Sequence, residues 1–97
     1  MNIVWSPEAI EDLIALRAYV GSDDRAAARR LAMRIVDAVE TLISRNPEIA
    51  RPGRVVGTRE FAIARTSYIA PYRVSGAAIE VLRIPQAPAD GLNGFET

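Results

Sequence analysis

Two long stretches of this chain place their apolar residues at helical spacing, and shorter ones alternate as strands do. Ala9, Leu13, Leu16 and Val20 recur every three or four residues, with Ile10 and Ile14 widening the stripe. Ser6 is a good N-cap, Pro7 suits the first helical position, and Glu8, Glu11 and Asp12 favour the positive end of the helix dipole. This predicts a helix over about 7–20 that stops near Gly21. Ser22-Asp23-Asp24 opens a second helix. Leu31, Ile35, Ala38 and Leu42 form its stripe, Val36, Val39 and Ile43 lie beside it, and Asn46-Pro47 ends it. The short connection predicts an antiparallel helical hairpin. Ile3, Val4 and Trp5 read as a short first strand. After a loop over 46–57, three more strands are expected, at 59–64, 68–74 and 78–84, with Ser75-Gly76 as a hairpin turn. Pro71 inside a strand suggests an edge or a bulge. Residues 78–84 are apolar on both faces, as in an inner strand. The order β-α-α-β-β-β predicts an α+β domain, an antiparallel sheet packed against the helical hairpin, over residues 1–84. Residues 85–97 are rich in proline and glycine and are expected to form a mobile tail.

Composition narrows the chemistry more than it suggests any. The 97 residues suffice for one domain, and the hydrophobic share of 49% argues against disorder over most of the chain. No apolar run has the length of a membrane span, and Pro7 follows the start too soon for a signal peptide, so a cytoplasmic protein is expected. Cysteine and histidine are absent, which excludes disulfides, thiolate chemistry and the commonest general base. Lysine is absent too: every basic residue is arginine, which rules out a Schiff-base lysine and favours forked recognition of carboxylates or phosphates. The acids lack metal-ligand spacing, and no cofactor motif is present. Gly53 and Gly57 belong to no phosphate loop and read as turn glycines.

Charge is balanced overall but unevenly placed. Residues 1–50 hold six arginines and eight acids, and residues 51–97 hold six arginines and four acids. Arg51, Arg54, Arg59, Arg65, Arg73 and Arg83 fall in the loop and the predicted sheet. On one face they would form a site for phosphate or acidic side chains; as separate surface residues they would pair locally. Arg73 and Arg83 interrupt apolar strands, where a charge needs a partner. Metal-free RNA cleavage would need proton shuttles, for which Tyr68, Tyr72, Glu60 and Glu80 are the candidates, and the aromatic ones read more simply as core. Leu31, Met33, Ile35, Val36, Val39, Leu42 and Ile43 cover a wide arc of the second helix. Part of that arc is expected either in the core or as a partner groove.

Several short pieces occur together in a telling order: Trp5-Ser-Pro-Glu-Ala9, Asn46-Pro47, Arg51-Pro-Gly-Arg54, Gly57-Thr-Arg-Glu60, Pro71-Tyr-Arg-Val74 and Ile79-Glu-Val-Leu-Arg83. In this arrangement the chain resembles the ParE branch of the RelE/ParE toxin superfamily over residues 2–84. The resemblance implies a toxin that inhibits DNA gyrase by binding, with no catalytic residues, no cofactor and no metal. It also implies a ParD-like antitoxin with a ribbon-helix-helix domain, which alone would touch DNA, in a toxin–antitoxin hetero-oligomer. On that basis Arg59, Arg65, Arg73, Arg83, Leu31, Ile35, Val36, Val39 and Leu42 are expected to serve antitoxin binding, and Arg51 and Arg54 to face the target. The alternatives are a RelE-like ribosome-dependent mRNA endonuclease and a non-toxic antitoxin-binding relic. Family members commonly carry a basic, histidine-containing segment after the last strand. Here those positions read Pro85-Gln86-Ala87-Pro88, which argues against the nuclease and leaves toxicity open.

Overall fold

The computed structural model describes residues 1–87. Strand β1 (Asn2–Trp5) leads into helices α1 (Pro7–Gly21) and α2 (Arg25–Ala38). Strands β2 (Arg51–Pro52), β3 (Arg59–Ala62), β4 (Ile69–Ser75) and β5 (Ala78–Val81) follow. The strands form one sheet in the order β1-β5-β4-β3-β2. The α+β class and the helical hairpin packed on a sheet agree with the sequence pattern. The sheet, however, is mixed: β2 to β5 pair antiparallel in succession, while β1 lies parallel to β5. A tight turn enforces antiparallel pairing only between consecutive strands. β1 is separated from β5 by the whole helical hairpin and joins the sheet as a parallel edge.

The helix ends follow their local chemistry. Ser6 caps α1, its Oγ accepting from the Ala9 N–H at 3.0 Å, and Asp24 caps α2 by accepting from Ala27 N–H at 3.0 Å. Helix α2 does not end at Ala38 but passes through a π-helical turn, Val39–Ile43. The buried line therefore runs through Ala28, Ile35, Val39 and Ile43, and Leu42, expected on the stripe, is 44% exposed. The wider turn keeps Ile35, Val39 and Ile43 in register with the sheet, a rotation that a period of 3.6 does not anticipate.

The core lies between the helices and one face of the sheet. Ala9, Leu16, Ile35, Val39 and Ile43 meet Ile63, Ala70, Tyr72, Ile79, Val81 and Ile84, with Trp5, Leu13, Leu31 and Phe61 at its margin. The registers Phe61↔Ala70, Tyr72↔Val81 and Val81↔Trp5 put these side chains on the helix side. The register Arg51↔Glu60↔Pro71 and the pair Arg73↔Glu80 put those residues on the opposite face.

Pro71 lies in β4, an inner strand, which rules out the edge, one of the two placements expected for it. The Leu82 N–H donates to the Pro71 carbonyl at 2.9 Å, but proline has no N–H to return. The Leu82 carbonyl accepts instead from Ser6 Oγ at 2.8 Å, and the Ser6 N–H donates to Val81. The N-cap of α1 thus fills the gap that proline leaves in the sheet. The β4–β5 turn is also shifted from its expected place. Ser75 pairs with Ala78, and the turn residues are Gly76-Ala77, with Gly76 at φ +63° as a type II′ turn requires.

Beyond β5 the chain stays attached. The Ile69 N–H donates to the Pro85 carbonyl, the Ala87 N–H to the Ser67 carbonyl, and Gln86 bridges Tyr68. The rest of the expected tail, residues 88–97, lies outside the described residues.

Candidate functional site

The arginines of the second half are spread over several surfaces and do not make one basic face. Arg83 Nε and Nη2 donate to the two carboxylate oxygens of Asp12 on α1 at 2.8 and 3.0 Å, and the Ile84 N–H joins them at 2.9 Å. The Arg83 hydrogen bond holds the Asp12 carboxyl below the usual carboxylate range, against the opposing effect of its partial burial, and Asp12 in turn raises Arg83. Arg83, expected to meet antitoxin acids, is engaged in fastening α1 to the end of the sheet. Arg73 lies on the outer sheet face, its Nε 2.8 Å from Glu80 directly across the β4–β5 pair.

Arg51 and Arg54 converge on Glu60, at 3.6 and 3.9 Å from its Oε1. Glu60 is buried, and its Oε2 accepts the Arg54 backbone N–H at 3.0 Å. This carboxylate organises the loop between β2 and β3, and local pairing of the arginines was one of the two arrangements open from the sequence. Arg59 donates to the Ala50 carbonyl at 2.7 Å. With Asn46, Pro47, Glu48, Gly57, Tyr72, Arg73 and Val74 it lines a cleft of about 490 Å³.

The proton-transfer candidates are tied into the fold. Tyr72 is fully buried, its hydroxyl donates to the Pro47 carbonyl at 2.6 Å, and burial raises its pKa above the ordinary phenol value. Glu60 faces two guanidiniums and Glu80 faces Arg73. Tyr68 packs against the core. No group of histidine, cysteine, aspartate and glutamate among the described residues has the arrangement of a metal site.

On the helical side, Ile35 and Val39 are completely buried and Leu31 packs at the core margin, so these three serve the interior. The antitoxin contacts expected of Ile35 and Val39 are corrected accordingly. Val36 remains half-buried and lines a groove of about 340 Å³ with Ile10, Leu13, Ile14, Arg17, Arg29, Ala32 and Met33. Ile10, Ile14 and Met33 are 46%, 64% and 55% exposed. The sequence held a signal for the α1 side of this groove, because Ile10 and Ile14 lie four apart and beside the stripe of Ala9, Leu13 and Leu16.

Arg65 belongs to a different place again. It sits in the β3–β4 turn at φ +61°, in the left-handed region that favours glycine. It shares a hollow of about 470 Å³ with Arg29, Arg30, Met33, Arg34 and Asp37 of α2. Four guanidiniums and one carboxylate meet there, and Arg29 and Met33 also line the apolar groove. Groove and basic hollow are therefore one continuous surface on α2.

Comparison with known proteins places this architecture. Residues 3–87 match the family model described as the ParE toxin of the type II toxin–antitoxin system parDE. The chain belongs to the ParE toxin family. It is 40% identical over 86 residues to a putative toxin, Y4kP, of Sinorhizobium fredii, covering 89% of this chain and 88% of that one. It is 32% identical to Toxin RelE2 of Caulobacter vibrioides, covering 89% and 94%. Among solved structures, the chromosomal ParDE toxin–antitoxin system from P. aeruginosa superposes with a TM-score of 0.81 at 32% identity, over 91% of this chain and 97% of that one. The RelBE2 complex of Mycobacterium tuberculosis, at 21% identity and a TM-score of 0.65 over 88% and 95%, shares the fold. The ParE family match agrees with the fold and with the resemblance read from the motifs. This chain is a type II toxin of the ParE/RelE superfamily.

Proposed function

We propose that this ParE-family toxin acts by binding DNA gyrase, without a chemical step of its own, and that a ParD-like antitoxin with a ribbon-helix-helix domain holds it inactive. The observation that carries the reading is the engagement of Tyr68, Tyr72, Glu60 and Glu80 in structural contacts. RNA cleavage without metal requires a base and an acid free to exchange protons near the phosphate. Arginine supplies charge but keeps its proton at any physiological pH. The closer likeness to a ParDE system than to the RelBE2 complex supports the same conclusion.

The antitoxin surface in this reading is the groove between α1 and α2 together with the basic hollow beside it. An amphipathic antitoxin segment would lay its apolar face over Ile10, Ile14, Met33 and Val36 and its acids against Arg29, Arg30, Arg34 and Arg65. Leu42 is exposed in the π-helical turn that follows α2, and Arg59 and Arg73 line the cleft at the foot of the β2–β3 loop. The test is supercoiling of relaxed plasmid by purified gyrase with the toxin added. Dose-dependent inhibition supports the reading. Cleavage of ribosome-bound mRNA with gyrase unaffected would replace it with the nuclease alternative, and inactivity in both assays would favour the antitoxin-binding relic.

A further inference from the structure

We infer that Arg65 is the residue by which this toxin selects an antitoxin with clustered carboxylates, and that the β3–β4 turn adopts an unfavourable backbone conformation to place it. This rests on the antitoxin reading above and deepens it. The turn spans residues 63–66. The Thr66 N–H closes it by donating to the Ile63 carbonyl at 3.2 Å, and Thr66 Oγ1 donates to the same carbonyl at 2.9 Å. Arg65 holds the third position at φ +61°, where turns ordinarily take glycine or asparagine. It is the only residue other than glycine at positive φ among the described residues. A β-carbon in that conformation crowds the following carbonyl, so arginine there costs stability that glycine would not.

Nothing within the described fold offsets that cost. The Arg65 side chain is exposed and, among the described residues, forms no hydrogen bond or ion pair. Its neighbours in the hollow add to the penalty. Arg29, Arg30 and Arg34 also lack an ion pair among the described residues, and Asp37 is the one carboxylate that lines the hollow with them. Arg30 and Arg34 lie four apart on α2, a spacing at which like charges destabilise a helix. Four guanidiniums gather around one acid, and one of them is held there by a strained backbone. Such an arrangement favours an anionic ligand over the stability of the free chain.

The ligand's chemistry follows from what adjoins the hollow. Arg29 and Met33 line both the hollow and the apolar groove, so a ligand covering both must be apolar along one stretch and anionic along the next. An amphipathic polypeptide whose apolar face ends in a group of aspartates or glutamates meets that demand. A nucleic acid backbone carries the charge but has nothing for Ile10, Ile14 and Val36. Arg65 approaches the hollow from the β3–β4 turn and the other three arginines from α2. A carboxylate cluster held between them would fix the register of the segment as well as its direction along the groove. An antitoxin with the same apolar residues but no acids at that point would leave the guanidiniums unpaired and dock less tightly.

The experiment measures urea unfolding, and affinity for the cognate antitoxin by calorimetry, in the full chain and in its Arg65→Gly, Arg65→Lys and Met33→Glu variants. Arg65→Gly is expected to raise the unfolding midpoint, since it removes the backbone strain and one of four like charges, and yet to lower antitoxin affinity about tenfold at low ionic strength. That loss should shrink as salt is added. Arg65→Lys keeps the charge on the same backbone and should recover most of the affinity. A residue placed for binding gives opposite signs for stability and affinity; one that merely supports the turn would lose both. A lower midpoint in Arg65→Gly, or unchanged affinity in Arg65→Gly beside a loss in Met33→Glu, would overturn the role of Arg65 and leave the antitoxin surface in place. Unchanged affinity in both variants would remove that surface as well. Weaker binding of plain duplex DNA by Arg65→Gly, with antitoxin affinity intact, would assign the hollow to phosphate instead.

Discussion

At the scale of single residues, Ser6 carries the most. It caps α1 and supplies the donor that Pro71 withholds from the Leu82 carbonyl. Ser6→Ala should lose a cap, typically about 0.5–2 kcal/mol, and leave a carbonyl without its partner, about 1–3 kcal/mol. Urea unfolding should show the sum, and the loss should shrink in a Pro71→Val background, where the strand regains its N–H. The capping role was legible in Ser6-Pro7; the bond to Leu82 was not, because it depends on which strand pairs with Pro71. Asp12 makes a second residue-scale prediction. Its carboxyl is held below the usual carboxylate range, chiefly by the Arg83 hydrogen bond. A carboxyl depressed in the folded state contributes stability above its unfolded pKa and loses it as pH falls through the folded value. Asp12→Asn should therefore be less stable at neutral pH and should show a flatter loss of stability below about pH 4 in pH-dependent unfolding. Arg83 was expected to meet antitoxin acids, yet it pairs with Asp12, 71 positions away, a contact that no local pattern signals.

At the scale of elements, the two helices do different work on their two sides. Ile35 is fully buried, so Ile35→Ala should cost about 2–5 kcal/mol in chemical unfolding. Leu42, rotated outward by the π-helical turn, should lose roughly 0.5 kcal/mol or less on change to alanine. A regular helix over residues 25–45 would not produce that contrast. On the outer side, Met33→Glu places a charge where groove and basic hollow meet. It should weaken antitoxin binding at least about tenfold in calorimetry, with the unfolding midpoint little changed. Retained affinity would move the antitoxin elsewhere. The helices, the three main strands and their order were legible, because amphipathic spacing and turn residues are local signals. The two-residue β2, the parallel pairing of β1 and the π-helical turn were not, because each is settled by packing between elements.

At the scale of the whole molecule, the helical hairpin and the sheet present surfaces of different chemistry. The helical side offers an apolar groove continuous with four arginines, and the β2–β3 loop carries two exposed valines, Val55 and Val56. The zero net charge conceals this division, as does a count of arginines along the chain. In the proposed function the helical side would meet the antitoxin, while Asp12, Glu60, Tyr72 and Glu80 are engaged in holding the shape. In that same proposal the protein inhibits gyrase by occupying it. The most direct measurement is a titration of the toxin against a fixed amount of gyrase in a supercoiling assay, with plasmid in large excess over both. A binder predicts inhibition that rises in proportion to toxin and levels off near a fixed ratio of toxin to enzyme. Progressive inactivation by toxin present far below the amount of gyrase, or no inhibition at any ratio, would contradict the account.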